Sequence, residues 1–161
     1  MQIYLFRHAE RENSGQGNPP LSSRGFKQAQ ELARQQAAGL FTKPGKLLVS
    51  PKVRTQQTFA PLAESQGVEL VMTPELDERL SSENASQFAA RVKRFIAYLE
   101  RQSGVIYVCS HLDWIEEAMI AIPSDTDLLA EKFQAWAPAQ YTEFDVREGL
   151  WLVLKTGRVE C

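Results

Sequence analysis

The sequence predicts one domain over residues 1–161, a three-layer α/β/α sandwich with a mainly parallel central sheet and a C-terminal β-hairpin. Two observations predict this fold class. Short apolar runs that end abruptly alternate with longer segments of helical periodicity, in the order βαβαβαβα, as in parallel sheets joined by crossover helices. Two more strand-like segments close the chain, and only the stretch from Arg147 to Gly149 separates them.

The first strand is predicted from the apolar run Ile3–Phe6, which ends abruptly at a charged residue. A loop over residues 12–20 follows and is dense in turn-forming residues. Ser22 or Ser23 then caps a helix, and Gly39 lies near the end of that helix. The apolar residues that recur in this helix at helical spacing are Phe26, Ala29, Ala33, Ala37 and Leu40.

The second strand and the second helix are predicted next to each other. Leu47–Val49 is a short apolar run typical of a buried strand. Ser50 follows it as a helix cap, and Pro51 takes the first helical position. We expect this helix to run to about Gln66 and to stop at Gly67, because glycine favours the left-handed conformation that ends many helices.

Two further strands flank a third helix. Glu69–Met72 and Val105–Cys109 are the strands, and residues 74–82 form a loop after the first of them. Asn84 and Gln87 fit a capping box, which predicts that the helix begins there. The residues expected to bury this helix are Phe88, Val92, Phe95, Ile96 and Leu99.

The last part of the chain contains a fourth helix, an ambiguous stretch and the hairpin. The helix covers residues 113–121 and ends before Pro123. Tyr141–Val146 and Leu150–Leu154 are the hairpin strands. The stretch 124–140 is ambiguous: it could fold over a site as a partial lid, but we expect its apolar residues to lie in the core. The residues that indicate one helix there are Leu128, Leu129, Phe133 and Trp136.

The composition excludes several classes of protein. The net charge of −2 argues against nucleic acid or an anionic membrane as the main partner. No apolar run reaches the roughly 20 residues that a spanning helix needs, and the N-terminus lacks the basic region of a signal peptide. Cys109 and Cys161 do not make a disulfide framework. We therefore expect a cytoplasmic protein, whose oligomeric state the sequence leaves open.

Side chains with phosphate chemistry follow the predicted strands. In α/β sheets of this type the site lies outside the carboxyl ends of the strands. Arg7 and His8 directly follow the first predicted strand, and His111 lies at the end of the fourth. Both histidines of the chain therefore come immediately after a buried strand. Arg54 lies one turn into the second helix, and Glu78 lies in the loop after the third strand. We expect these five residues to converge on one rim of the sheet.

These residue types suit the transfer of a phosphoryl group. Arginine binds two phosphate oxygens at once and keeps its charge. A histidine with one unprotonated nitrogen is a nucleophile, and a second histidine can donate a hydrogen bond to the phosphoryl oxygens. An acid must then protonate the leaving group and later activate water. Glu78 is the first candidate for this acid, and Glu10 is the second.

Each candidate also has a plainer interpretation. The two histidines could bind a metal with Asp113 or Glu10, but no HxH or HExxH spacing supports this, and we expect neither a metal nor a cofactor. Taken alone, Arg54 and Glu78 would each be expected to face solvent. The residues that we expect to form an exposed helix face are Glu83, Arg91, Lys93 and Arg94.

Five motifs in the correct order resemble the histidine phosphatase superfamily, which includes the cofactor-dependent phosphoglycerate mutases and the small phosphohistidine phosphatases. Each motif alone is only weakly specific for the family, but five motifs in the correct order are highly specific. Together they cover most of residues 1–120. The motifs are Arg7-His8-Ala9-Glu10, Pro20–Gly25 with Gln28-Ala29, Ser50-Pro51 with Arg54, Gln57 and Thr58, Leu76–Arg79, and Val108–His111.

The resemblance implies a phosphoglycerate mutase-like fold and a role for each residue of the rim. It implies His8 as the phosphorylated nucleophile and Glu78 as the acid and base. It implies a phosphate pocket formed by Arg7, Arg54 and His111. A phosphorylated small molecule or a phosphoprotein would then be the partner.

Three departures from the family pattern bear on the site. Ala9 replaces the usual glycine, which would strain the loop only if the backbone needed a positive φ. Leu112 and Asp113 follow the second histidine where small glycines are common, so they could narrow the pocket or bring a carboxylate to its edge. Little chain separates Arg79 from the helix at Asn84, where the mutases carry a long insertion over the substrate.

An open site favours hydrolysis over mutase chemistry and admits a large substrate such as a phosphorylated protein side chain. The short chain is most similar in size to the small phosphohistidine phosphatases. Those enzymes often lack an acid in the position of Glu78, whereas phosphomonoesters of small metabolites need one to protonate their leaving group. Both substrate classes stay open, and a mutase or an inactive phosphate-binding module are the remaining alternatives.

Overall fold

A six-stranded sheet forms the middle layer of the structure. In this computed structural model, which describes residues 1–15 and 17–161, the strands are β1 (Gln2–Arg7), β2 (Lys46–Val49), β3 (Leu70–Met72), β4 (Val105–Ser110), β5 (Gln140–Arg147) and β6 (Leu150–Arg158). The helices are α1 (Ser23–Ala37), α2 (Val53–Gln66), α3 (Ala85–Glu100) and α4 (Leu112–Ala121). Short 3₁₀ turns lie at Pro74–Leu76 and Glu131–Phe133.

The strand order is β3-β2-β4-β1-β5-β6. The four N-terminal strands are parallel, and β5 pairs antiparallel with both β1 and β6. The mainly parallel α/β fold and the C-terminal hairpin are therefore confirmed. Glu148 and Gly149 join β5 to β6, and both have positive φ, as in the tight turns that match the twist of a hairpin.

Alternate residues of each central strand face opposite layers. In β1, Ile3 and Leu5 pack into a cluster with α3 and α4, whereas Tyr4 and Phe6 pack into a second cluster with α1 and α2. Because side chains alternate along a strand, one buried strand supplies both cores. The helices on the two faces close the three-layer arrangement and leave the carboxyl ends of the strands as the open edge.

The predicted helix ends are largely confirmed. Ser22 accepts a hydrogen bond from the Gly25 N–H as the cap of α1, and Asn84 and Gln87 form both bonds of the capping box. Gly67 ends α2 in the left-handed conformation. The predicted apolar stripe of α1 is partly wrong, because Phe26, Ala37 and Leu40 are exposed. The residues that bury this helix are Gly25, Gln28, Ala29, Leu32, Ala33 and Gln36.

The second helix begins at Val53 rather than at Pro51. Ser50 does not cap this helix, because its hydroxyl accepts the Lys52 N–H and lies 2.8 Å from a ring nitrogen of His111. The Ser-Pro pair therefore predicted a helix start correctly but placed it two residues too early. The contact with His111, at the end of the neighbouring strand β4, determines the role of Ser50.

The single helix indicated over 124–140 is wrong. Apart from the 3₁₀ turn, the segment is irregular, because the side chains of Ser124 and Asp127 accept backbone N–H groups two residues ahead and stabilise turns instead. The expectation that its apolar residues belong to the core is confirmed for Leu128, Phe133 and Trp136, which are buried, whereas Leu129 is exposed.

Three further features concern the part of the chain that the structure describes. Within residues 1–15 and 17–161, no helix combines the length and the apolarity needed to cross a bilayer. In the same residues, no three His, Cys, Asp or Glu side chains are grouped as metal ligands would be. Buried Cys109 and exposed Cys161 are both free thiols.

We predict that Gly25→Ala destabilises the fold. A Cβ atom at Gly25 would lie 1.9 Å from the Glu10 carbonyl oxygen, so the first turn of α1 would have to move away from the loop after β1. We expect a loss of about 1–3 kcal/mol in the free energy of unfolding, measured by urea denaturation. Gly17→Ala is the control, because nothing lies within 4 Å of that position. Equal stability of the two variants would contradict the prediction.

Candidate active site

The pairing of β1 with β4 brings the two histidines together. Arg7 is opposite Ser110 in this parallel pair, and the His8 N–H donates to the Ser110 carbonyl at 3.1 Å. His8 and His111 are therefore the first residues beyond two adjacent strand ends. Their ring centroids lie 5.4 Å apart, and both side chains are buried.

One hydrogen bond determines which nitrogen of His8 is available. Its Nδ1 lies 2.7 Å from the carbonyl oxygen of Ala9, an acceptor that requires a proton on Nδ1. The neutral ring then has its lone pair on Nε2. Ala9 itself donates its N–H to Thr58 Oγ1 and has no positive φ, so the alanine fits here without the backbone strain considered above.

Burial keeps His8 neutral. It lowers the pKa of His8 from 6.5 to about 3, and the nearby cations Arg54, Arg7 and Arg11 act in the same direction. The hydrogen bond to Ala9 opposes the shift but is the weaker effect. At neutral pH the ring is therefore uncharged, which is the state that a nucleophile requires.

Ser50 positions His111. Its Oγ lies 2.8 Å from His111 Nε2 and 3.0 Å from Thr55 Oγ1, and it also accepts the Lys52 N–H. Burial, followed by repulsion from His8, lowers the pKa of His111 to about 2. A neutral ring that accepts the Ser50 hydroxyl at Nε2 carries its proton on Nδ1. That Nδ1 is buried and has no hydrogen-bond partner among the described residues.

Two arginines add further donors without partners. Arg7 Nη1 donates to the Trp136 carbonyl, but its Nε is buried and has no partner in the described part of the chain. Arg54 is 4% exposed, and its Nη2 donates to Glu78 Oε2 at 3.0 Å, while its Nε and Nη1 also lack partners there. With His111 Nδ1, four buried nitrogens have no hydrogen-bond partner within the described residues. An anion is the ligand that suits them, because each of the four can donate a hydrogen bond.

The residues that carry these donors line one open cavity at the carboxyl edge of the sheet. Its volume is about 330 Å³. All five residues predicted for the site contribute to its wall, so the structure brings them together. The wall is formed by Arg7, His8, Arg11, Arg54, Glu78, His111, Leu112, Asp113 and Glu116.

The two candidate acids are in different environments. Glu78 lines the cavity, and its side chain is about one-third exposed next to Arg54. Glu10 does not contribute to the cavity wall, because Ser22 Oγ donates to its carboxylate at 2.9 Å and Arg24 approaches it from the first turn of α1. The geometry therefore favours Glu78 as the group that could reach a substrate.

Glu83 and Arg91 were wrongly predicted to lie on an exposed helix face, because they pair with each other and their side chains are only 13% and 12% exposed. The guanidinium of Arg91 also donates to the carbonyls of Glu75, Asp77 and Glu78 at 2.8–3.1 Å. It therefore fixes the loop that carries Glu78. No sequence pattern predicts that Arg91 holds this loop. Its hydrogen-bond partners are backbone carbonyls, and every residue has a backbone carbonyl. The other two basic residues of that set, Lys93 and Arg94, are exposed as expected.

Sequence reasoning also missed three contributors to the site. Ser50 was interpreted as a helix cap, although its hydroxyl bonds to His111. Arg11 and Glu116 line the cavity, but neither follows a strand directly, so the strand-end rule did not select them. Leu112 and Asp113 do line the cavity, as their position after His111 suggested.

Comparison with known proteins identifies the family. Residues 3–83, half of the chain, match the model of the histidine phosphatase superfamily (branch 1). A probable phosphoglycerate mutase from Enterobacter sp. (strain 638) is 34% identical in an alignment of 84 residues that covers 48% of this chain. That segment is only 38% of the relative's own length, so the likeness covers much less than the whole of the curated protein.

Two solved structures show the same fold over nearly the whole chain. A candidate α-ribazole-5′-phosphate phosphatase from Escherichia coli has a TM-score of 0.77 and 19% identity, covering 100% of this chain and 96% of that one. The protein histidine phosphatase SixA, solved with tungstate, has a TM-score of 0.70 and 17% identity, covering 98% and 97%. The family model and the shared fold lead to one conclusion. The chain belongs to branch 1 of the histidine phosphatase superfamily.

Proposed function

We propose that the protein is a phosphatase that hydrolyses its substrate through a phosphohistidine intermediate on His8, without a metal ion. One observation carries the proposal. Four buried nitrogens without partners in the described residues belong to Arg7, Arg54 and His111, which line the same cavity as His8, and the Nδ1 bond of His8 leaves its lone pair on Nε2. A tetrahedral dianion fits both needs, because it accepts several hydrogen bonds and offers a phosphorus atom for attack.

The first step transfers the phosphoryl group to His8. Nε2 forms a bond to phosphorus while the bond to the leaving group breaks, and Glu78 supplies the proton that the leaving group needs. Arg7, Arg54 and His111 hold the phosphoryl oxygens, so the charge of the transition state is balanced by fixed donors. The hydrogen bond from Nδ1 to Ala9 keeps the ring oriented and stabilises the proton that remains on it.

The second step returns His8 to its starting state. Glu78, now ionised, removes a proton from water, whose oxygen attacks phosphorus as the bond to Nε2 breaks. Inorganic phosphate leaves, and the proton stays on Glu78 for the next cycle. Glu78 pairs with Arg54 in the free structure, so a phosphate that takes up Arg54 releases the carboxyl group.

The openness of the site supports hydrolysis of a large substrate. Only a turn over residues 80–83 separates Arg79 from the cap of α3, and it does not contribute to the cavity wall. A phosphorylated histidine of a protein is therefore our first candidate substrate. A small phosphomonoester is the second candidate substrate. Glu78 in the cavity wall favours this candidate, because an alkoxide leaving group needs a proton, whereas an imidazole leaving group depends less on protonation.

The proposed mechanism predicts a covalent intermediate on His8. After a rapid quench without acid, incubation with a labelled generic phosphoester should leave label on His8 of the wild-type protein. His8→Ala should carry no label, and its kcat/KM should fall at least about 10³-fold, because the nucleophile is lost. A chelator should leave wild-type turnover unchanged. Undiminished turnover in His8→Ala would refute the mechanism.

The second prediction separates the candidate acids. Glu78→Gln should lower kcat/KM about 10²- to 10⁴-fold for an alkyl phosphate and much less for a nitrophenyl phosphate, whose leaving group needs no proton. Glu75→Gln is the matched control, since Glu75 lies in the same loop but outside the cavity wall. If Glu10→Gln shows this dependence on the leaving group and Glu78→Gln does not, the assignment is wrong.

The third prediction concerns stability. The pKa of His8 is about 3 in the folded protein and about 6.5 when unfolded, so below pH 6.5 the unfolded state binds more protons and stability falls with falling pH. Relative to His8→Gln, the wild-type free energy of unfolding should fall by about 1.4 kcal/mol per pH unit below 6.5. Urea unfolding at several pH values between about 7 and 5 tests this. Parallel curves for the two proteins would show that His8 is not held neutral.

A further inference from the structure

One carbonyl group determines the orientation of the His8 ring. His8 Nδ1 lies 2.7 Å from the Ala9 carbonyl oxygen, and this acceptor keeps the proton on Nδ1 and the lone pair on Nε2. Ala9 lies beyond the end of β1, outside the registered pairs of that strand with β4 and β5. Whatever fixes the peptide unit between Ala9 and Glu10 therefore also fixes the ring.

Gln28 holds the other end of this peptide unit. The Glu10 N–H belongs to the same planar unit as the Ala9 carbonyl, and it donates to Gln28 Oε1 at 2.9 Å. The glutamine, the peptide unit and the His8 ring thus form a chain of two hydrogen bonds. Because successive hydrogen bonds in a buried environment polarise one another, the bond to Gln28 strengthens the Ala9 carbonyl as an acceptor. A rotation of the peptide plane would break both bonds.

This hydrogen bond accounts for the burial of Gln28. Glutamine is a residue type that is mostly exposed, yet Gln28 is 1% exposed within α1. Its neighbours Ala29 and Leu32 belong to an apolar core cluster, so packing alone does not require a glutamine at this position. Among the described residues, the Gln28 side chain makes one hydrogen bond, the one to Glu10.

The start of α1 allows Gln28 to reach the loop after β1. Gly25 lies one turn before Gln28, and a Cβ atom at Gly25 would lie 1.9 Å from the Glu10 carbonyl oxygen. Ser22, the cap of α1, donates its N–H to the same oxygen at 2.9 Å. The helix therefore holds Glu10 through both its N–H and its carbonyl. Gly25 permits the close approach on which the hydrogen bond of Gln28 depends.

We propose that Gln28 is a positioning residue for His8, because it fixes the peptide unit whose carbonyl keeps the His8 proton on Nδ1 and the lone pair on Nε2. Gln28 lies outside the cavity wall, so it acts through the His8 ring. Its effect on catalysis rests on the proposed phosphatase function, whereas its effect on the ring proton does not. When Nε2 bonds to phosphorus, the ring gains positive charge and its Nδ1–H donates more strongly, so the support matters most in the transition state.

The position of the proton is measured first, by ¹⁵N NMR of the ring nitrogens at neutral pH. The chain has two histidines, and His8→Gln assigns their signals. Wild-type His8 should show a protonated Nδ1 and an unprotonated Nε2. Gln28→Met keeps an unbranched side chain but lacks the acceptor, so the two shifts should move toward each other as the proton distributes over both nitrogens. Unchanged shifts in folded Gln28→Met, or a wild-type ring protonated on Nε2, would overturn the inference.

Gln36→Met is the matched control. Gln36 is also buried in α1, about two turns after Gln28, and its Oε1 has no partner among the described residues. This variant should leave the His8 shifts unchanged. Gln28→Glu restores an acceptor for the Glu10 N–H, so it should keep the wild-type position of the proton, and loss of that position would contradict the inference.

A measurement on the wild-type protein covers the case in which neither variant of Gln28 folds. The Glu10 amide should exchange slowly with deuterium, because it donates to a buried oxygen. Exchange as fast as that of an exposed amide would overturn the inference.

Turnover of a nitrophenyl phosphate then connects the position of the proton with the reaction. Gln28→Met should lower kcat about tenfold or more and change KM less than about twofold, because the groups that bind the phosphate stay in place. Gln28→Glu should recover most of kcat, and Gln36→Met should match the wild type. A lower kcat with unchanged His8 shifts would indicate a merely structural effect and overturn the inference. Displaced shifts with a wild-type kcat would overturn it as well.

The outcomes separate this inference from the proposed function. If the labelled intermediate forms on His8 and Gln28→Met behaves as the wild type does, the phosphatase function stands and the positioning role fails. If no phosphorylated compound is turned over, the proposed function fails. In that case the ring shifts of the wild type and of Gln28→Met still test whether Gln28 fixes the position of the His8 proton.

Discussion

The register between β1 and β4 is the constraint on which the site depends. Arg7 is opposite Ser110, so both histidines leave the sheet at the same height on adjacent strands. The pairing of β2 with β4 extends this relation, because Val49 is opposite Cys109 and Ser50 therefore reaches the His111 ring. A slip of one residue in either pair would turn the side chains to the opposite face. Backbone hydrogen bonds, rather than contacts between the site residues, thus place the histidines.

Side-chain donors near the same strand ends also hold the loop that carries Glu78, the proposed acid. Four successive carbonyls, from Glu75 to Glu78, accept hydrogen bonds from side chains: Trp114 Nε1 and Arg91 bind the first, Ser110 Oγ the second, and Arg91 the last two. Ser110 therefore serves both the register with β1 and the loop that carries Glu78. This explains how a short loop without a covering insertion can keep a carboxylate at a defined position beside an open cavity.

The sequence predicts the site residues that directly follow strands. It does not predict the site residues whose role depends on contacts between distant segments. The rule that polar residues at the carboxyl ends of parallel strands converge selected His8 and His111. It could not find Arg91, whose partners are backbone carbonyls, because any residue provides those. Ser50 shows the same limit, since the same Ser-Pro pair serves as a helix cap elsewhere and as a histidine partner here.

The unsatisfied donors of the cavity explain why the site can be both buried and open. Arg54 and His111 are almost fully buried, yet the wall around them ends in exposed Glu116 and half-exposed Asp113. Burial keeps both histidines neutral, so the inner end can act as nucleophile and donor without first losing a proton. The charged groups on the solvent side of the cavity, Arg11 and Glu116, are exposed and stay hydrated, so they cost little there. Burial can therefore determine the protonation state of the histidines while the cavity itself stays open to solvent.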